Sequence, residues 1–295
     1  VIVAALGESS EMSGESSSRS ELEMPDAQRH LLEALLKTGK PVVLVLFSGR
    51  PVVLTWENEN VPAILNVWFG GSEAADAIAD VVFGDVCPSG KLTTTFPQNV
   101  GQLPMAYNHK NTGRPLKEGK WFEKFRSNYL DVSNDPLYPF GYGLSYTTFD
   151  SSIAAVEDDG EKITLDVAVK NTGDTAGKYV AEIFYEPPYY NGGIEKAAAN
   201  LVQYAKTEIL QPGEAQTLKI TFRYEDMASY DSNGIKSTNG AYVLEAGDYK
   251  INLCSDSHTI LDTYVAKVDK DIIYDDAHAV SYTHLRAHET VLDLV

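Results

Sequence analysis

The spacing of apolar residues changes near the middle of the chain. Up to about residue 100, continuous apolar runs alternate with segments whose apolar residues recur at helical spacing. From about residue 150 to residue 273, apolar and polar residues alternate one by one. The first pattern is typical of buried strands and amphipathic helices, and the second of strands with one face in solvent. The sequence therefore predicts an α/β part followed by an all-β part.

The first part contains apolar runs of the kind found in strands buried on both faces of a parallel sheet. These runs are residues 1–7, 41–47 and 63–69. A helix is predicted from Pro25 to the residues before Gly39, because proline suits a first turn and glycine ends a helix. A second helix is predicted from Ser72, as its N-cap, to Gly84. Alternating strands and helices favour a partial α/β sandwich built on a mainly parallel sheet.

The second part contains short strands separated by turn signals, which predicts an antiparallel β-sandwich. Its clearest alternating runs are residues 163–169, 218–222 and 249–253. Residues 101–149 lie between the two parts and are rich in Pro, Gly, Asn and Tyr, with little periodicity. An ordered connection of this length is usually functional or lies across a neighbouring domain.

Composition agrees with a globular protein and excludes several partners. At about 150 residues per domain, the 295 residues suggest two domains. Lys and Arg number 24 against 42 Asp and Glu, a net charge of −18, which disfavours nucleic acid and anionic membranes as partners. No apolar run is long enough to cross a bilayer. The two cysteines, Cys87 and Cys254, allow neither a disulfide framework nor a thiolate zinc cluster, and we interpret both as free thiols.

Both ends of the chain differ from ordinary termini. Val1 lies inside an apolar run, which we interpret as a cut through a longer protein. Residues 281–290 break with the preceding composition and resemble translated adapter sequence, so residues 274–295 are predicted to be a non-native or disordered tail. Histidines at short spacing in this tail, at positions 278, 284 and 288, could ligate zinc, but we favour the tail interpretation and predict no metal site.

The loop that follows the first apolar run carries the most unusual chemistry. Glu8, Glu11 and Glu15 lie there among serines and glycines, directly after a predicted buried strand. Ligands of open α/β sheets bind beyond the carboxyl ends of the strands. From the residues alone, a solvated polar loop is the simpler interpretation. A phosphate-binding loop is disfavoured because the glycine patterns are missing and carboxylates repel phosphate.

This loop and the segments after it resemble the second domain of glycoside hydrolase family 3 β-glucosidases of the periplasmic type. The resemblance rests on SGESSSR at residues 13–19, GKPVVLVL at 39–46, SGRP at 48–51, WFGGSE at 68–73, AIADVVFGD at 77–85, NTGRP at 111–115 and YPFGYGLSYTTF at 138–149. It extends over about residues 1–273. It implies an α/β sandwich over residues 1–100, a connecting segment over 101–149 and a fibronectin type III-like β-sandwich over 150–273.

The resemblance also implies a reaction. Members of the family remove β-linked sugars from non-reducing ends with retention, using an aspartate nucleophile on a (β/α)8 barrel and a glutamate acid/base on the α/β sandwich. The motif transfers the acid/base role to Glu15, with Glu8 as second choice; the other interpretation of Glu8 is a loop-orienting or capping carboxylate. No segment supplies the barrel, which needs about 250 residues. We therefore expect this fragment alone to be inactive, and we expect the barrel to precede it rather than to follow it.

The remaining expectations concern substrate, partners and further residues. Glucose is the favoured sugar, with β-xylosides and arabinosides left open, and no cofactor is expected. A non-catalytic carbohydrate-binding or domain-association module is the alternative function. Trp121 and His109 are candidate substrate-binding residues, whereas Trp68 and Phe69 end an apolar run and are expected in the core. The missing barrel is the expected partner; a homodimer and the compartment, cytoplasm or periplasm, are left open.

Overall fold

The computed structural model describes residues 1–110, 112–117, 119–238 and 240–274. Its first part is a parallel sheet in the order β1–β2–β3, with Ala4 of β1 opposite Leu44 of β2. The strands are β1 (Ile2–Gly7), β2 (Val42–Phe47) and β3 (Ala63–Asn66). The mainly parallel sheet is confirmed, although the third strand ends three residues before the apolar run does.

Three helices accompany this sheet. They are α1 (Asp26–Leu36), α2 (Thr55–Asn60) and α3 (Ala74–Phe83). Pro25 is the N-cap of α1, and Gly84 ends α3 in the left-handed conformation at φ +86°. Ser72 is not the N-cap that the sequence predicts: Glu73 has that position, and its side chain makes no capping hydrogen bond. The sequence pattern does not predict α2, because its six residues, TWENEN, contain no apolar repeat.

The core of the α/β part forms where α1 and the residues after β2 cover the sheet. Its fully buried side chains include Leu32, Leu44, Leu46, Leu54 and Phe96. Burial of a leucine side chain contributes about 1.5–3 kcal/mol, so this cluster accounts for much of the stability of the layer.

The second part is an antiparallel β-sandwich. One sheet has the order β12–β11–β6–β7 and the other the order β4–β5–β8. Their strands are β4 (Phe149–Asp158), β5 (Lys162–Asn171), β6 (Val180–Glu186), β7 (Asn200–Lys206), β8 (Ala215–Arg223), β11 (Gly247–Asp256) and β12 (Thr259–Val268). A small sheet, β13–β10–β9, is formed by β9 (Ser229–Tyr230), β10 (Tyr242–Leu244) and β13 (Ile272–Tyr274). The inward residues of β5, Ile163, Leu165, Val167 and Val169, are fully buried, as their alternation predicts.

The connecting segment lies against both parts. The Phe140 ring stacks on Tyr107 with ring centroids 4.3 Å apart and meets Phe184 of β6 edge-on. The backbone N–H of Ser257 donates to the Phe140 carbonyl at 2.9 Å, and Lys91 Nζ donates to the Ser255 carbonyl at 2.8 Å. The α/β part and the β-sandwich are therefore joined by packed aromatic rings and hydrogen bonds.

Some sequence predictions fall beyond these elements. Within the described ranges, no helix combines the length and the apolar character that a membrane crossing requires. Tyr274 ends β13 and pairs with Tyr242, so a strand reaches the first residue of the predicted tail. The rest of that tail with its three histidines, and Asn111 of the NTGRP motif, lie outside the described residues.

Candidate active site

Gly7 and Gln28 fix the direction in which the chain leaves β1. Gly7 has φ +138°, and a Cβ at this position would lie 1.8 Å from the Phe47 carbonyl oxygen, so only glycine allows this approach to β2. Gln28 of α1 binds both backbone groups of Gly7, since its Oε1 accepts from the Gly7 N–H at 2.7 Å and its Nε2 donates to the Gly7 carbonyl at 2.9 Å. The chain therefore leaves the sheet in one defined direction, and residues 8–24, here called the acidic loop, begin there.

Glu8 is buried beneath the acidic loop and is paired with two arginines. Its side chain is 1% exposed; Oε1 lies 2.9 Å from Arg19 Nη1 and 3.1 Å from Arg50 Nε. The Gly49 N–H donates to its Oε2 at 3.2 Å. Two guanidinium groups and one backbone amide therefore hold the Glu8 side chain in place, and it has little access to solvent.

Arg50 connects this pair to the backbone of the acidic loop. Its Nη2 donates to the Met12 carbonyl at 2.7 Å and to the Ser17 carbonyl at 2.8 Å. These two carbonyls lie on either side of Glu15, so one guanidinium binds both ends of the segment that presents this residue. Arg50 was not among the residues predicted for the site; its place beyond the carboxyl end of β2 is the signal that could have identified it.

A cavity of about 570 Å³ opens beside the acidic loop. It is lined by Ser13, Gly14, Ser16, Ser17, Ser18, Gly49, Arg50 and Phe69. Glu15 lies between Gly14 and Ser16, both of which line the cavity, and its side chain is exposed. Ser16 has φ +61°, a left-handed conformation that is uncommon in residues other than glycine. Among the described residues that line the cavity there is no carboxylate, so a reaction that needs two carboxylates must take both from residues outside this set.

Trp68 and Phe69 are neighbours in the sequence but have different surroundings. Trp68 packs against the α/β core, with its ring centroid 5.8 Å from that of Phe96, which agrees with its predicted location. Phe69 is 53% exposed and lines the cavity, so its predicted core location is wrong. Trp68 has φ +52°, so the backbone adopts the left-handed conformation two residues after β3 ends. Such a conformation in a bulky residue costs about 1–3 kcal/mol and persists only where the surroundings impose it.

The other two predicted substrate-binding residues lie elsewhere on the connecting segment. Trp121 is 57% exposed, and its ring lies 6.5 Å from that of Phe122. His109 is exposed, and its Nδ1 lies 3.0 Å from the Lys110 carbonyl oxygen. Neither residue lines the cavity beside the acidic loop.

The described part of the chain contains no group of three His, Cys, Asp or Glu side chains arranged to hold a metal ion. Cys87 is partly buried and Cys254 is buried, and both are free thiols, as predicted. Burial raises the pKa of the Cys254 thiol to about 12, so this residue is not a thiolate near neutral pH.

Comparison with known proteins agrees with both parts of the fold. Residues 1–146 match the glycosyl hydrolase family 3 C-terminal domain, and residues 179–257 match the fibronectin type III-like domain. A periplasmic beta-glucosidase of Salmonella typhimurium is 41% identical over 87% of this chain and 33% of its own length. A beta-xylosidase of Formosa agariphila is 34% identical over 87% of this chain and 34% of its own length. The chain therefore spans about a third of the length of these curated relatives.

Solved structures resemble the whole arrangement. A beta-glucosidase from Listeria innocua, crystallised in complex with glucose, superposes with a TM-score of 0.81 at 34% identity, over 90% of this chain and 36% of that one. A beta-glucosidase from Kluyveromyces marxianus, also in complex with glucose, superposes with a TM-score of 0.76 at 29% identity, over 92% of this chain and 32% of that one.

Proposed function

Because this chain belongs to glycosyl hydrolase family 3, we propose that it supplies the acid/base glutamate, Glu15, to a retaining exo-acting β-glycosidase. The favoured substrate is a β-glucoside, since several relatives are beta-glucosidases. A β-xyloside is the alternative, since one relative is a beta-xylosidase. The observation that carries the proposal is that Glu15 is exposed between two residues that line the cavity, in a segment that Arg50 binds on both sides.

The chemistry of the loop separates Glu15 from the other carboxylates. A general acid must reach the glycosidic oxygen and exchange protons with it, so it needs an accessible side chain. Glu8 is buried and neutralised by two arginines, which suits the orientation of the loop rather than proton transfer. Glu11 is exposed as well, but it lies on a short 3-10 turn, and neither of its chain neighbours lines the cavity. Glu15 alone combines exposure with two neighbours that line the cavity.

The proposed reaction has two steps. In the first, the Glu15 carboxylic acid donates its proton to the departing glycosidic oxygen while a second carboxylate attacks the anomeric carbon and forms a glycosyl ester. In the second, the Glu15 carboxylate removes a proton from water, which attacks the anomeric carbon and releases the sugar and the nucleophile. A retaining enzyme needs its two carboxyl groups about 5–5.5 Å apart. We infer that the second carboxylate is an aspartate on the (β/α)8 barrel of the same protein, facing the acidic loop.

The test is the Glu15→Gln substitution in the whole protein, with Glu11→Gln as the matched control on the same loop. We expect kcat for cellobiose to fall by at least about 10²-fold in Glu15→Gln, the scale of general acid catalysis, and to change little in Glu11→Gln. An activated aryl β-glucoside should lose less in its first step, and azide should restore turnover and give a β-glycosyl azide. Unchanged turnover in Glu15→Gln would remove the proposed role and favour a non-catalytic carbohydrate-binding or domain-association module.

A further inference from the structure

The sheet that contains β6 and β11 packs its outer face on the connecting segment. Alternate residues of β6 point into the sandwich core, so Glu182 and Phe184 point to the opposite side. There the Phe184 ring meets the Phe140 ring edge-on, and Gly141 follows Phe140 in the chain. The contact between this face of the sheet and residues 139–142 is here called the seam.

Glu182 places a carboxyl group inside the seam without a hydrogen-bond donor. The residue is 4% exposed, and its Oε2 accepts no hydrogen bond from the described part of the chain. A Cβ on Gly141 would lie 2.1 Å from that oxygen, so the carboxyl group packs directly on the glycine backbone. An ionised carboxylate in such a place loses its hydration without replacement, whereas a protonated carboxyl group avoids most of that cost.

The charges around Glu182 do not compensate for its ionisation. Its charged neighbours are the Lys91 ammonium and the Asp256 carboxylate, and these two charges cancel. Lys91 Nζ donates to the Ser255 carbonyl at 2.8 Å, and Asp256 Oδ1 accepts from a backbone N–H at 2.9 Å. The ionised form of Glu182 therefore adds one net negative charge inside the seam.

The other titratable neighbours of this group stay neutral near pH 7. Burial raises the pKa of Tyr142 and the pKa of Tyr179. Cys254 of β11 is paired with Glu182 of β6, and burial raises the pKa of its thiol to about 12. Burial also raises the pKa of Glu182 to about 7, so both of its forms are populated near neutral pH.

We propose that Glu182 is a pH-sensitive switch that opens the seam locally when its carboxyl group loses a proton to solvent. Opening lets water reach the carboxylate and breaks the hydrogen bond from the Ser257 N–H to the Phe140 carbonyl. It leaves the α/β part and the β-sandwich folded, because local opening needs less free energy than global unfolding. The switch acts between the two parts and is independent of the role of Glu15.

Cys254 reports on this opening, because it is 2% exposed and lies beside Glu182 on the same face of the sheet. Its rate of alkylation by N-ethylmaleimide is measured at pH 6 and pH 8 in a Cys87→Ser background. Glu182→Gln keeps the intrinsic pH dependence of the thiol but cannot ionise, so the ratio of the wild-type rate to the Glu182→Gln rate isolates the switch. We expect this ratio to rise about tenfold from pH 6 to pH 8. Glu186→Gln, a matched control on β6 whose side chain is 39% exposed, should follow the wild type. An unchanged ratio would overturn the proposal.

Amide exchange of this chain at the same two pH values separates local opening from global unfolding. In the wild type, the Ser257 amide should be less protected than the amides of β5 and should lose about tenfold in protection from pH 6 to pH 8. Equal protection of Ser257 and β5 at both pH values would show that the seam opens only on global unfolding, and the switch would be refuted. Histidines change charge in this range and His258 follows Ser257, with an exposed side chain, so His258→Gln is the second control. It should keep the tenfold loss, and its disappearance there would assign the titration to the histidine. These two measurements test the switch even if Glu182→Gln does not fold.

Discussion

Glu8 and Arg50, which are 42 residues apart in the sequence, form an ion pair beneath the acidic loop, with Arg50 Nε 3.1 Å from Glu8 Oε1. The carboxylate is 1% exposed and the guanidinium side chain 22% exposed. The same guanidinium donates to backbone carbonyls on both sides of Glu15. The buried pair of Glu8 and Arg50 therefore positions the exposed segment around Glu15, and a change in the pair should alter that segment.

Loss of the Arg50 side chain should destabilise both the pair and the loop. In Arg50→Ala we expect the free energy of unfolding to fall by about 2–3 kcal/mol, because Glu8 keeps only Arg19 as a charged partner in a buried position. Backbone amides of residues 9–18 should exchange with deuterium faster. Arg50→Lys keeps the positive charge but loses the planar set of guanidinium N–H donors. Compared with Arg50→Ala, it should therefore restore more of the free energy of unfolding than of the amide protection in the loop.

Arg126→Ala is the matched control for this prediction. Arg126 pairs with Glu123 at 3.6 Å, with both side chains 33% exposed, so its removal should cost less than about 1 kcal/mol. Urea unfolding and amide exchange at neutral pH measure both effects. Unchanged exchange of the loop in Arg50→Ala would show that other contacts hold the segment around Glu15.

Residue patterns predicted the architecture better than the site. The periods of the apolar residues gave the parallel layer and the β-sandwich because each buried face imposes its spacing on a continuous stretch. The pairing of Glu8 with Arg50 has no such signature, since it joins side chains from two loops that meet only when β1 and β2 pair. The location of Phe69 was mispredicted because an apolar run predicts a buried extended strand, whereas the backbone leaves the extended conformation at Trp68, before the run ends.

A second buried ion pair lies in the β-sandwich. Lys196 Nζ is 2.5 Å from Glu245 Oε2, and the two side chains are 2% and 1% exposed. Lys196→Met should lower the free energy of unfolding by about 3–5 kcal/mol, because the Glu245 carboxylate stays buried without its main partner. The double substitution Lys196→Met with Glu245→Leu should recover most of that loss, since no buried charge remains.

The exposed pair of Lys250 and Glu186 is the control, with side chains 55% and 39% exposed and Nζ 3.0 Å from Oε1. Lys250→Met should cost less than about 1 kcal/mol. Urea unfolding of the wild type, Lys196→Met, Glu245→Leu and the double variant at neutral pH measures the coupling between Lys196 and Glu245. If the double variant were less stable than Lys196→Met, the two residues would contribute through separate packing contacts and not as an ion pair.

The burial of Glu182 where the connecting segment packs on the β-sandwich makes the free energy of unfolding depend on pH. Glu182 lies on β6, is 4% exposed, and its Oε2 has no hydrogen-bond partner in the described part of the chain. Gly141 of the connecting segment has φ +84°, a conformation that favours glycine, and a Cβ there would lie 2.1 Å from this oxygen. Burial raises the pKa of Glu182 to about 7, with Lys91 opposing the shift and Asp256 adding to it. Burial also lowers the pKa of the Lys91 ammonium.

The sign of this shift predicts how stability changes with pH. Because the folded pKa of Glu182 lies above its ordinary value of 4.5, the folded state binds more protons than the unfolded state between about pH 4.5 and 7, and stability falls as pH rises through that window. Glu182→Gln removes this titration, so the variant should gain about 3 kcal/mol on the wild type between pH 4.5 and pH 8. Glu186→Gln makes the same change on the same strand at an exposed side chain and is the matched control. Urea unfolding at several pH values measures the difference, and a constant gap between Glu182→Gln and the wild type across that range would contradict the titration of a buried carboxyl group at the seam.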